Sequence, residues 1–138
     1  MLEISDTQTY FDLIACLPMK VVLSDETRST LDRRGASQSN VFDTRIAPRF
    51  QCCGQAIATL VQSPKPLRID AEQTIVIVRD ISRHGMGLLT HEQWFPEQVY
   101  HILMPNAEML LRVVRARYLS PSCFEIGTLT KQHREIEQ

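Results

Sequence analysis

Residues 78–87 read VRDISRHGMG and stand between two apolar runs, TIVIV at 74–78 and LL at 88–89. A short polar stretch between two such runs predicts a hairpin. Its two glycines suit a tight turn, because glycine takes positive φ without steric cost. A turn does not require the aspartate, serine, histidine and two arginines that fill residues 79–84. This excess of charged and hydrogen-bonding groups at one corner predicts a functional site there.

Alternation of apolar and polar residues continues on both sides of the corner and predicts six strands. Turn-forming residues near Pro64, Pro105 and Pro121 separate them. Short antiparallel strands at this spacing favour a small barrel or sandwich, since closing the sheet removes exposed strand edges. The charged tail, residues 131–138, is predicted as a short C-terminal helix. The predicted strands cover residues 50–61, 74–78, 87–90, 98–104, 109–119 and 123–129.

Residues 1–40 lack the strand pattern and are predicted as a partly helical N-terminal extension, with the β domain at residues 41–138. A capping-box start at Ser5, apolar residues at helical spacing and a stop at Pro18 predict a first helix. A weaker helical stretch follows it. The small polar residues 36–40 are typical of a linker.

Length and charge exclude several classes of protein. A chain of 138 residues favours one domain, large enough to bury a core. Its net charge of −1 argues against binding to DNA or RNA, which usually requires a positive excess. No apolar run approaches the roughly 20 residues that cross a bilayer, and the acidic start lacks a signal-peptide pattern. We therefore expect a cytoplasmic protein with no membrane insertion.

The cysteines do not predict a metal site. Cys16, Cys52, Cys53 and Cys123 form no C-x-x-C pair and lack the spacing of zinc ligands. In a reducing cytoplasm such residues are expected as buried free thiols, with the adjacent pair as the alternative place for redox or metal chemistry. We predict no metal and no cofactor.

Two arginines, Arg45 and Arg49, precede the first predicted strand. In an extended segment their spacing reaches up to about 13 Å, which suits the two ends of one elongated anion. The guanidinium group is planar and always charged, so it binds phosphate through two hydrogen bonds and reads the O6/N7 edge of guanine. The alternative is two solvated arginines on a flexible linker.

At the corner, Asp80, Ser82 and Gly85 form the pattern D-x-S-x-x-G. The carboxylate accepts hydrogen bonds from the N1–H and N2–H₂ edge of a guanine, and the hydroxyl donates or accepts beside it. Glycine lets a ligand approach the backbone closely. The alternative is that Asp80 and Ser82 only satisfy turn amides, as short polar side chains often do.

An R-x-x-x-R pattern before the first strand, followed by D-x-S-x-x-G at the next hairpin of an all-β chain, resembles the PilZ family. That family consists of bacterial receptors for cyclic di-GMP. The resemblance covers about residues 44–130, including the late F-E-I-G segment at 124–127. It implies a six-stranded antiparallel β-barrel followed by a C-terminal helix. It also implies a conformational change on nucleotide binding, which a downstream protein partner reads.

The resemblance assigns a role to each motif residue. Arg45 and Arg49 would contact phosphate and guanine, with a guanidinium stacked on a base. Asp80 and Ser82 would take guanine edges. Gly85 would keep the corner open.

Other polar residues carry weaker expectations. His84 stands where the family frequently has a small residue, and is predicted to point to solvent. His91 and His101 lack companions at metal-ligand spacing, so surface or groove positions are expected. Arg115 and Arg117 share a predicted strand face. They are solvated, extend the anion site or bind a partner.

The alternative function is a PilZ-like protein–protein interaction module that does not depend on the nucleotide. Its surface would be the apolar N-terminal helix together with Trp94 and Phe95. An enzyme is not expected, because the sequence assembles no nucleophile with a base, no metal cage and no phosphate-cradling glycine loop.

Overall fold

The computed structural model describes residues 7–28, 50–64 and 73–135, and the predicted linker at 36–40 lies outside these ranges. Its elements, in chain order, are α1 (Thr7–Cys16), β1 (Phe50–Gln62), β2 (Thr74–Ile81), β3 (Met86–Thr90), β4 (Val99–Met104), β5 (Ala107–Ser120) and β6 (Cys123–Glu135).

The six strands close into an antiparallel barrel in the order β1-β2-β3-β6-β5-β4. Strands that are neighbours in sequence pair within two three-stranded meanders, β1-β2-β3 and β4-β5-β6. The barrel closes where β3 pairs with β6 and β1 pairs with β4. The predicted mainly β fold, with six antiparallel strands in a closed barrel, is therefore confirmed.

Alternate side chains of the strands fill the barrel, because successive residues of a strand face opposite sides. Trp94, from the loop after β3, also enters this core and stacks on Tyr100 with ring centroids 3.6 Å apart. Burial of one aliphatic side chain contributes about 1.5–3 kcal/mol, so the alternation seen in the sequence is what stabilises the barrel. The core residues that are completely buried include Val76, Val78, Leu88, Ile102, Leu111, Val113 and Ile126.

The end of the chain departs from expectation, because β6 continues to Glu135 and the predicted C-terminal helix is wrong. Residues 132–135 pair with residues 107–110 at the start of β5. A charged segment this short is marginal as a helix in water. The first half of β5 instead offers it a row of backbone donors and acceptors. An ion pair between Arg134 and Glu108 supports the same pairing.

The helix α1 packs across the outside of β1 and β4. Its apolar residues cover Ile57 and Leu103, and the hydroxyl of Tyr10 donates a hydrogen bond to the carbonyl of Gln55 at 2.7 Å. The helix ends before Pro18, as the sequence predicts. In the described part of the chain, no helix has the length and apolar character needed to cross a membrane.

A second part of the N-terminal extension lies on the outer face of β2, β3 and β6. Val21 packs there against Ile77, Leu89 and Cys123. The backbone N–H of the following residue donates a hydrogen bond to the carbonyl of Ser122, in the β5–β6 turn, at 3.0 Å. The described part of the extension is therefore attached to the barrel at two separate places.

The cysteines with described side chains have different environments. Cys123 is a buried free thiol, as expected, and burial raises its pKa. Cys16 is also a free thiol but is exposed at the end of α1, so the expectation of burial is wrong for this residue.

Candidate functional site

The corner between β2 and β3 is a tight turn closed by Ser82. Its backbone N–H donates to the carbonyl of Gly85 at 2.8 Å, and its hydroxyl donates to the same oxygen at 3.2 Å. The hydroxyl oxygen also accepts a hydrogen bond from the N–H of His84 at 3.4 Å. The His84 side chain is exposed. The predicted hairpin is confirmed, and the serine contributes to its shape.

Gly85 is required at this corner by crowding and not by a positive φ. None of the described glycines has a positive φ, so the sequence-based reason for glycine here is wrong. A Cβ at this position would overlap the carbonyl oxygen of Thr128. The start of β3 runs this close to β6, where the N–H of Met86 donates to the Thr128 hydroxyl at 3.1 Å. The protein's own backbone makes the close approach at Gly85.

Asp80, near the end of β2, is almost fully buried, with 4% of its surface exposed. Its Oδ1 accepts a hydrogen bond from the backbone N–H of Gly87 at 3.1 Å. Its Oδ2 accepts one from Nε of Arg79 at 3.2 Å. The alternative role, in which this carboxylate satisfies a main-chain amide, is thus present in the structure. Its binding of a guanine edge stays a prediction.

Four residues of the outer barrel face stand in one row across β2, β3, β6 and β5, and we call them the glycine row. Neighbouring strands lie about 4.8 Å apart, so the row spans roughly 14 Å from its first Cα to its last. Its two central positions have no side chains, so side chains from the neighbouring strands lie over them. The members, in strand order, are Asp80, Gly87, Gly127 and Arg115.

Charged side chains lie flat along the glycine row because the glycines leave room for them. A Cβ at Gly87 would come within 2.8 Å of the Asp80 carboxylate and 3.0 Å of the Arg79 guanidinium. A Cβ at Gly127 would come within 2.7 Å of Nε and 2.9 Å of Cγ of Arg115. A larger residue at either position would lift these charged groups away from the sheet.

Glu125, on β6, links two arginines beside the glycine row. Arg79 forms an ion pair with one of its carboxylate oxygens, and Nη2 of Arg117 lies 3.2 Å from the other. The side chains of Arg79 and Glu125 are 11% and 17% exposed, whereas that of Arg117 is 69% exposed. Together with Asp80 and Arg115, these groups leave one net positive charge on the surface.

The charged side chains near the glycine row carry a small net positive charge. Such a surface suits a flat, negatively charged molecule. A guanidinium stacks on heterocyclic rings and forms paired hydrogen bonds with phosphate. The carboxylates of Asp80 and Glu125 hold Arg79 against the sheet, while Arg115 and Arg117 are exposed. The arrangement can therefore hold a planar anion by its face and by its phosphates.

The first predicted motif, Arg45 and Arg49, lies outside the described residues. β1 begins with the next residue, Phe50, and its first two residues pair with Ile81 and Asp80. The chain that leaves the arginine motif thus enters the sheet beside the corner. The structure brings the three residues of the second motif together at that corner.

A second cluster of buried charges lies on β4, β5 and β6. Glu108 and His101 are 5% and 7% exposed. Glu108 forms an ion pair with Arg134, and its Oε2 lies 3.2 Å from Nε2 of His101. These side chains border a cavity of about 360 Å³, with Met109 and Leu110 contributing apolar lining.

Burial lowers the pKa of His101, and the nearby positive charge of Arg134 lowers it further. His101 was expected at the surface or in a groove. The surface position is wrong, since the ring is buried, although it does border the cavity.

Sequence reasoning missed Arg79 and Glu125 as parts of the site, and gave Gly127 no role beyond a match to the family pattern. The available signal was glycine inside a strand, which often marks a place where another group approaches closely. Nothing in the sequence indicates that Glu108 is buried, because it alternates with apolar residues as an exposed strand residue would.

Among the described residues, no group of three or more histidine, cysteine or acidic side chains could hold a metal ion. No protein-family model, no curated protein and no solved structure matches the chain. The resemblance to the PilZ family therefore rests on the two sequence motifs alone.

Proposed function

We propose that this protein is a cytoplasmic receptor for cyclic di-GMP, as its resemblance to the PilZ family implies. The ligand would be held by Arg45, Arg49, Asp80, Ser82 and Gly85. The module binds the nucleotide without turning it over, changes conformation, and relays the signal to a protein partner.

The observation that carries this proposal is the register between β1 and β2. Phe50 pairs with Ile81, so the chain enters the sheet one residue after Arg49 and beside the D-x-S-x-x-G corner. A residue of extended chain spans at most about 3.6 Å. Arg49 therefore directly precedes a strand that begins beside the second motif, although the two motifs lie some 30 residues apart in sequence.

The contacts of Asp80 support a ligand exchange at this corner. Arg79 bonds to Asp80 but also forms an ion pair with Glu125. A guanine edge that donates to Asp80 could replace Arg79 there without leaving that arginine unpaired. This matters because an unpaired buried charge is costly. After the exchange, Asp80, Arg79 and Glu125 would each still have a partner.

Isothermal titration of the full chain with cyclic di-GMP tests the proposal. We expect saturable binding, weakened roughly 10- to 150-fold in Arg49→Ala, because one charge-assisted contact contributes about 1.5–3 kcal/mol. Arg112→Ala is the matched control, since Arg112 pairs with Glu97 and belongs to neither motif. No binding by the unmodified protein at tens of micromolar would refute the receptor function, as would full affinity in Arg49→Ala.

A second candidate is a PilZ-like interaction module that does not depend on the nucleotide. The observation that favours it is a set of exposed apolar side chains on the N-terminal extension, at Phe11, Met19 and Val22, with Phe95 exposed on the barrel. Trp94, which was expected on the same surface, is buried in the barrel core. A partner captured equally with and without cyclic di-GMP would favour this function over the receptor.

A further inference from the structure

Arg115 has an unusual path for an exposed arginine. It stands on β5 opposite Gly127 of β6, and its stem and Nε lie directly over the glycine. The side chain therefore runs across the neighbouring strand and along the glycine row, and does not extend away from the sheet into solvent.

Gly127 permits this path. Glycine inside a strand is unfavourable relative to alanine, and often marks a close approach by another group. Here the close approach is made by Arg115, because a Cβ at residue 127 would meet its Nε and Cγ. No backbone strain explains the glycine, since none of the described glycines has a positive φ.

Arg115 also differs from its neighbours in charge pairing. Arg79 and Arg117 both pair with Glu125, and Arg112 pairs with Glu97. Within the described residues, Arg115 has no carboxylate at ion-pair distance. The Arg115 side chain is exposed, its stem lies against the sheet at Gly127, and its guanidinium reaches no described carboxylate, so the group is available to a ligand.

We propose that Arg115 is a ligand-binding residue that stacks its guanidinium on a base of the bound nucleotide, and that Gly127 is its positioning residue. This inference rests on the receptor function proposed above. It adds a contact on the second meander, about three strand spacings from Asp80. A planar guanidinium stacks on a heterocycle in a way that the compact ammonium group of lysine does not.

Two variants separate stacking from charge. Arg115→Lys keeps the charge and removes the plane, whereas Gly127→Ala keeps the arginine and displaces it from the sheet. We expect each to weaken cyclic di-GMP binding roughly 5- to 30-fold by isothermal titration. Because Arg115→Lys preserves the charge, the salt dependence of binding should stay as in the unmodified protein.

The controls match each change in kind. Arg112→Lys makes the same substitution on the same strand, and Gly54→Ala adds a methyl group inside a strand where no atom lies within 4 Å. Both should bind as the unmodified protein does. Urea unfolding of every variant identifies losses caused by misfolding, and Arg115→Lys decides the question if Gly127→Ala does not fold.

The outcomes distinguish this inference from the receptor function. If the unmodified protein binds, Arg49→Ala binds weakly and Arg115→Lys binds at full affinity, the stacking role is refuted and the receptor function stands. If the unmodified protein does not bind cyclic di-GMP, both are refuted.

Discussion

Two carboxylates on the barrel, Asp80 and Glu108, have nearly the same burial, and each is paired with an arginine. Asp80 is 4% exposed and bonds to Arg79, and Glu108 is 5% exposed and bonds to Arg134. By burial and pairing alone the two would be equally good candidates for a functional group.

The surroundings of the two carboxylates differ in chemistry and in origin. The row that starts at Asp80 continues over two glycines to an exposed arginine, and it crosses from the first meander to the second. The cluster around Glu108 comes entirely from the second meander, where Arg134 pairs the end of β6 with the start of β5. A buried carboxylate–arginine pair therefore occurs in both regions. What the Asp80 region adds is two glycines and, at the far end of the glycine row, the exposed Arg115, which has no carboxylate partner among the described residues.

The largest expected effect tests whether the Asp80 corner depends on glycine. In Gly85→Ala the new methyl group would overlap the Thr128 carbonyl, so we expect a loss of about 3 kcal/mol or more in the free energy of unfolding. Gly54→Ala, with open space at its Cβ, should stay within about 1 kcal/mol and can gain stability. Urea unfolding measures both. Equal stability of the two variants would contradict the crowding at Gly85.

The next effect compares the two carboxylates directly. Asp80→Asn and Glu108→Gln each remove the negative charge of a buried carboxylate that is paired with an arginine. Each should lower the free energy of unfolding by about 1–3 kcal/mol. Cyclic di-GMP binding should fall at least about tenfold in Asp80→Asn alone, since one charge-assisted hydrogen bond is lost. Titration of both variants at one ionic strength provides the measurement. An equal loss of affinity in Glu108→Gln would remove the distinction between the two regions.

The smallest effect is a pH dependence confined to the Glu108 cluster. Because the folded-state pKa of His101 is lowered by burial and by Arg134, the unfolded chain binds this proton more readily. The contribution of His101 to the free energy of unfolding is therefore fully present at pH values above about 6.5, the pKa of histidine in the unfolded chain. It is lost as the pH falls from about 6.5 toward the lower pKa of His101 in the folded protein. The slope is at most about 1.4 kcal/mol per pH unit.

Urea unfolding at pH 7.5 and pH 5.5 measures this loss. It should shrink in His101→Gln and persist in His133→Gln, which changes an exposed histidine bordering the same cavity. A loss that persists unchanged in His101→Gln would show that another group is responsible.

The sequence predicts the barrel well because its strands are specified by local alternation. The alternation of apolar and polar residues predicts that side chains such as those of Val76, Val78 and Leu88 face the barrel interior. The structure confirms that these side chains lie in the core. The predicted C-terminal helix fails because the pairing of Arg134 with Glu108 joins residues 26 positions apart. The local sequence of the tail does not indicate that it pairs with the start of β5.

In the candidate site, too, the features that depend on local sequence could be predicted, and those that depend on distant residues could not. The turn residues Ser82 and Gly85 could be located from sequence because a turn is a local structure. The real reason for Gly85 could not, since it lies in the backbone of β6, more than 40 residues away. The path of Arg115 over Gly127 likewise depends on strand register, and the β5–β6 pairing contains three register shifts, one of them directly before Arg115. Such irregularities cannot be located from the alternation of apolar and polar residues.

The pairing of β3 with β6 has a consequence for how the barrel opens and closes. This seam runs from Gly87 opposite Gly127 to Thr90 opposite Phe124, so it joins residues 34 to 40 positions apart. Contacts between distant residues carry a higher loop-closure cost than the hairpins inside each meander, so the seam is expected to form late in folding and to open early. Because the glycine row crosses it, opening would separate Asp80 from Arg115. A molecule that spans the row would hold the two halves together and slow the exchange of amide hydrogens along β3.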